Sequence, residues 1–125
     1  MHYSPQQMMQ IVGIKSHTYN SWRNRGLIRN IAKKSGVRSR YTKTDVMKCL
    51  IMKALSTQGV TYPIGFDASK IITQKLEWEE ATDTFVDVVN GICTDAPDEL
   101  EGNALLYVYL EGLRNHIDNF EKEEE

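Results

Sequence analysis

The stretch that decides the fold is GIKSHTYNSWRNRGLI, residues 13–28. It opens on Gly13 and carries a second glycine, Gly26, just past a short helical pattern. Thr18, Tyr19 and Trp22 fall at i, i+1 and i+4, which is one side of a helix. His17, Asn20, Ser21 and Asn24 fall at i, i+3, i+4 and i+7, the opposite side. Ser16 is a capping residue type, and Gly26 supplies a stop. Tyr19 and Trp22 are large enough to lock the helix to a core, and the polar side would then be held rigidly outward.

Upstream, residues 3–13 read YSPQQMMQIVG. Ser4 is a good N-cap and Pro5 suits the first helical position, where its missing N–H costs nothing. Met8, Met9 and Ile11 or Val12 give an apolar side, and Gly13 ends the helix in a left-handed conformation. Two short helices joined by a tight glycine turn are expected to form a helix-turn-helix. In that geometry the second helix presents side chains to base edges in a major groove. Asn20 and Asn24 are the best base readers, because a side-chain amide pairs bidentately with adenine. His17 and Ser21 share their stripe. Arg23 and Arg25 flank it and suit phosphate, with an ordinary surface role as the alternative.

Downstream, residues 27–41 read LIRNIAKKSGVRSRY, two apolar-led segments around a KKSG turn. This pattern predicts a small β-hairpin, a wing, with Lys33, Lys34, Arg38 and Arg40 clustered at and after its tip. Such a cluster beside a reading helix is placed to grip phosphates, although a merely solvated turn would look the same. In YTKTDVMKCLIMKALSTQG, residues 41–59, Thr42 and Asp45 make a capping-box start. Met47, Leu50, Ile51, Ala54 and Leu55 form the apolar face, and Gly59 ends the helix.

The second half is less regular. VTYPIGF, residues 60–66, contains Pro63 and Gly65 and reads as a turn or linker. A helical pattern then runs over 67–89, with a slip in its apolar stripe near EWEEATD, so one bent helix or two are expected. A last helix over about 103–122 carries Leu106, Leu110, Leu113, Ile117 and Phe120 at spacings of 4, 3, 4 and 3. That is a coiled-coil seam, and its strict spacing favours pairing of two chains, although packing within one chain would also bury it. The fold class is thus mostly α. Residues 1–60 form a winged helix-turn-helix domain, 61–66 a linker, and 67–125 an acidic helical region for dimerisation or interaction.

Charge divides at the same place. Residues 1–60 hold eleven Lys and Arg against one acid, Asp45, a net +10, whereas residues 61–125 hold four basic and sixteen acidic side chains, a net −12. A segment so basic attracts a polyanion, with counterion release from phosphates as the drive. The bland alternative is a basic surface that pairs with the acidic half. The acidic half is a candidate for a protein partner. No constellation of an enzyme is present: His2, His17 and His116 are scattered, and no phosphate-binding or dinucleotide glycine motif occurs. Glu77, Glu79 and Glu80 read as a solvated helix face. Cys49 and Cys93 have no metal-ligand spacing, so free thiols and no cofactor are expected. No apolar run is long enough for a membrane span, and the N-terminus has no signal-peptide pattern.

Residues 4–60 resemble the winged-helix DNA-binding domain of the MerR-type transcriptional regulators. Gly13, Ile14, Thr18, Trp22, Gly26, Leu27 and Ile28 fall without a gap on the family's glycine, aliphatic, threonine, aromatic, glycine and paired aliphatic positions. Tyr41, Thr42 and Asp45 match its Tyr-Thr/Ser-x-x-Asp helix start, and Gly59 its following glycine. The chain departs from the family at His17 and Asn20, where arginines are usual, and at Ser21, where a tyrosine is. The resemblance implies a homodimer on double-stranded DNA, with the second helix in the major groove, the wing on the backbone, and a C-terminal antiparallel coiled coil. It also implies a cytoplasmic regulator of bacterial or phage origin. Two alternatives use the same residues differently. One is a DNA-bending or excisionase-type factor of a mobile element. The other is a protein-interaction module anchored on DNA.

Overall fold

The structure, a computed structural model, describes residues 2–28, 40–96 and 105–124. Over these residues the chain is mostly helical, with five helices and a small three-stranded antiparallel sheet. Of the predicted wing, read over 27–41, residues 29–39 lie outside the described residues.

Helix α1 spans Pro5–Val12 and α2 spans Ser16–Asn24. The start of α1 is closed by reciprocal bonds: Ser4 Oγ accepts from the Gln7 N–H at 3.1 Å, and Gln7 Oε1 accepts from the Ser4 N–H at 2.9 Å. Gly13 ends it at φ 75°, the left-handed conformation expected there. The predicted cap of α2 is corrected by one residue. Ser16 is already helical, and Lys15 holds the cap position without a side-chain bond.

Helix α3, Lys43–Ser56, begins with the expected Thr42–Asp45 box, whose two bonds are 3.0 and 3.1 Å. It is the centre of the molecule. Val46, Met47, Cys49, Leu50, Ile51, Met52 and Leu55 are all buried, which is more than one face of a helix. The stretch expected as a linker is instead the first turn of α4, Tyr62–Lys75. Pro63 is tolerated because the first-turn N–H it lacks would have no helical partner. Gly65, Ala68, Ser69 and Ile72 are its buried side, at i, i+3, i+4 and i+7. Three small residues in that stripe let α4 lie close on α3, with Gly65 against the backbone of Met52.

The helix predicted over 67–89 stops at Lys75, and the helix predicted over 103–122 starts later, at Leu110. Between them lie β1, Thr84–Asp87, β2, Ile92–Thr94, and β3, Leu105–Val108, in the order β2-β1-β3. Phe85 pairs with Thr94 on one side and with Tyr107 on the other. Thr84, Val86 and Val108 are buried on one face of the sheet, and Asp87 at the end of β1 is buried as well. The β1–β2 turn is braced. The Asp87 carboxylate accepts from the Asn90 N–H at 3.2 Å and from Asn90 Nδ2 at 2.6 Å, and Lys75 Nζ donates to the Gly91 carbonyl at 2.8 Å.

Helix α5, Leu110–Glu124, corrects the coiled-coil seam. Leu106 is in β3. Leu110 and Ile117 are fully buried in the chain's own core, and Leu113 and Phe120 are half-buried against it. The stripe was real, but its partner is the same chain. Polar ties seat α5 on both halves. The Glu111 N–H donates to the Thr82 carbonyl at 2.9 Å, and the Arg114 guanidinium to the carbonyls of Trp78, at 2.6 Å, and Ala81. His116 Nε2 donates to the Ile11 carbonyl at 2.6 Å, Lys43 pairs with Asp118 at 2.8 Å, and the Tyr3 hydroxyl bonds Glu121. One core runs from Tyr3 to Ile117 and crosses the expected domain boundary.

Candidate nucleic-acid interface

Helix α2 is held from behind by aromatic side chains. Trp22 is fully buried and meets Tyr62 of α4 edge-on at 5.1 Å. Tyr19 is buried edge-on against Tyr41, their hydroxyls hydrogen-bonded to each other. Burial and that bond push the Tyr41 hydroxyl above its ordinary range, so it stays protonated at neutral pH. Tyr41 is in turn bonded to Tyr3 through both backbone groups, at 2.8 and 2.9 Å. The turn ahead of α2 is pinned as well. Lys53 Nζ donates to the Gly13 carbonyl at 2.8 Å, and His116 holds the carbonyl of Ile11.

Among the described residues the opposite side of α2 is open to solvent. His17, Asn20, Arg23 and Asn24 are exposed, and Ser21 is half-buried. Arg23 is steered by the ring of Tyr19, with its guanidinium carbon 5.7 Å from the centroid. Lys15 and Arg25, one at each end of the helix, are exposed too. Lys15 was not among the residues singled out by pattern. Its signal is positional, since it stands at the uncapped start of α2, where helical N–H groups point outward. The first carboxylate in the chain is Asp45, and it is engaged with the N–H of Thr42. Nothing on α1 or α2 therefore opposes an anion.

Of the wing residues, Arg40 is described. It is half-buried and directly precedes Tyr41, so the end of the predicted wing returns against α2 through the Tyr41–Tyr19 contact. Lys33, Lys34 and Arg38 lie outside the described residues. Among the described residues one ion pair, Lys43–Asp118, bridges the basic and the acidic half, and the other, Lys70–Asp67, is internal to α4.

Cys49 is buried, and desolvation, with Asp45 adding and Lys48 opposing, pushes its thiol up to about 12. Burial raises Cys93 as well, so both thiols are protonated and poor nucleophiles at neutral pH. No group of three or more metal-ligating side chains forms among the described residues, and no described helix is long and apolar enough to cross a membrane. Compared with known proteins, the chain matches no family model and is similar to no curated protein.

Proposed function

We propose that this chain binds double-stranded DNA as a homodimer, with α2 in the major groove, and regulates transcription in the manner of the MerR-type regulators. The observation that carries this reading is α2 itself. Tyr19 and Trp22 fix one side in the core, and His17, Asn20, Arg23 and Asn24 stand exposed on the other. Rigid presentation of a polar helix face is what base reading requires. Asn20, Asn24 and His17 are the base-facing residues, with Ser21 beside them. Lys15, Arg23 and Arg25, with Lys33, Lys34, Arg38 and Arg40 of the wing, hold phosphates. The charge division supports the same reading, because among the described residues Lys43–Asp118 is the one ion pair between the basic and the acidic half.

Selection of duplex DNA with the purified protein at two salt concentrations tests the proposal. An enriched inverted repeat retained at the higher salt is expected. Asn20→Ala should then change the preferred sequence, since a bidentate contact discriminates bases by about 1–3 kcal/mol. Lys34→Ala should weaken binding to every sequence alike and lower the salt slope by about 0.9. Equal loss on all sequences for Asn20→Ala would count against base reading, and no DNA binding at low salt would end the proposal.

A further inference from the structure

The reading helix begins without a cap of its own. Helices α1 and α3 open on reciprocal side-chain boxes, but Lys15 holds the cap position of α2 with no side-chain bond. At 9 residues α2 is also shorter than the roughly 12–15 residues that a helix needs to persist alone in water. Its start must therefore be set by whatever holds the turn ahead of it.

That turn is held through its carbonyls. The N–H groups of Gly13 and Ile14 both donate to the Met9 carbonyl, at 2.8 and 3.2 Å. A helix leaves its last carbonyls without intrahelical donors. Here two of the carbonyls after Met9 are met by side chains from far along the chain. Lys53 Nζ of α3 donates to the Gly13 carbonyl at 2.8 Å, and His116 Nε2 of α5 donates to the Ile11 carbonyl at 2.6 Å. His116 is exposed, and its place on α5 is fixed by its neighbour Ile117, which is fully buried. Two other side chains of α5 reach the first half elsewhere: Asp118 meets Lys43 at the start of α3, and Glu121 meets Tyr3 ahead of α1. His116 meets it where the chain leaves α1 for α2.

We infer that His116 is a positioning residue for the reading helix. Its bond to the Ile11 carbonyl fixes the path from α1 into α2, and with it the presentation of His17, Asn20 and Asn24. The bond itself needs no DNA, but its consequence for binding rests on the proposed function. A helix that is already placed spares the complex the cost of ordering it.

His116→Leu and His116→Gln in the full chain test the assignment. Leucine removes the donor, and glutamine returns an N–H near the place of Nε2. Asp118→Asn is the control, because it weakens a tie of α5 that does not reach the turn. His116 is exposed, so both of its variants should keep the circular dichroism of the wild type. In nuclear magnetic resonance, His116→Leu should move the Ile11 carbonyl carbon. It should also speed hydrogen exchange at the N–H groups of Ile14 and Tyr19 by about two- to tenfold, the range that one hydrogen bond carries. The dissociation constant for the selected DNA should rise by a similar factor, with an unchanged salt slope because no phosphate contact is lost. His116→Gln should restore the resonance, the exchange and the affinity, and Asp118→Asn should leave the resonance and the exchange as they are. If the wild-type chain binds no DNA, the proposed function falls, and the exchange of α2 decides this assignment by itself. Exchange unchanged in His116→Leu, a loss that glutamine does not rescue, or an equal acceleration in Asp118→Asn would overturn it.

Discussion

Helices α2 and α5 are both two-sided, and the molecule uses the sides differently. In α2 the covered side is compact and aromatic, and the open side carries His17, Asn20, Arg23 and Asn24 with no carboxylate. In α5 the covered side is the aliphatic stripe of Leu110, Leu113 and Ile117. Four of its polar side chains reach back to the chain, Arg114 to the Trp78 carbonyl, His116 to the Ile11 carbonyl, Asp118 to Lys43 and Glu121 to the Tyr3 hydroxyl. A fixed face on α2 frees the other for a partner. On α5 the apolar stripe and these four side chains bind the two halves together. Amphipathicity therefore says that a face will be covered, and not by what.

The sharpest way to break this comparison is Ile117→Asp. A carboxylate in a fully buried site loses the apolar contacts, about 2–5 kcal/mol for an aliphatic truncation, and adds an unpaired charge. Against a total stability of about 5–15 kcal/mol, the variant should lose its cooperative melt. A dimer seam would behave otherwise and give a folded monomer. Circular dichroism and size measured on the same sample separate the two outcomes.

Trp22 probes the other helix. Trp22→Ala should cost about 3–5 kcal/mol in urea unfolding and disorder the mounting of α2. Its indole N–H is buried without an acceptor among the described residues, so Trp22→Phe breaks no hydrogen bond among them and keeps a ring against Tyr62. The Phe variant should therefore lose much less stability than the Ala variant. Equal losses would show that the indole N–H has a partner.

The same contrast explains how far the sequence could be read. The first half was legible because its punctuation is local. The Ser4–Gln7 and Thr42–Asp45 boxes and the left-handed Gly13 depend on neighbours a few residues away. The second half turned on tertiary choices. Phe85, Val88, Val89 and Ile92 sit at helical spacing, yet they belong to a hairpin. The signal that could have found it is Asn90-Gly91 between β-branched runs, the strongest short hairpin cue. Pro63 and Gly65 misled in the other direction. A proline is harmless in a first turn, and a glycine at a close helix crossing is useful rather than breaking. For the site, the side chains on α2 could be read from period alone. Their support could not, because Tyr41 and Tyr62 reach α2, and Lys53 and His116 the turn ahead of it, from 22 to 105 residues away in the chain.

The smallest expected effect bears on the charge division. Lys43 and Asp118 meet at 2.8 Å, but their side chains remain 41% and 47% exposed. Water screens such a pair, and its coupling should be about 0.2–1 kcal/mol. A double-mutant cycle with Lys43→Ala and Asp118→Ala, in low and high salt, measures it directly. A small coupling that salt erases fits halves joined by apolar packing, in which the basic charge remains available to a polyanion. A coupling above about 2 kcal/mol that survives salt is outside the range of exposed pairs. It would mean that the acidic half neutralises the basic one by design, and the electrostatic support for DNA binding would weaken with it.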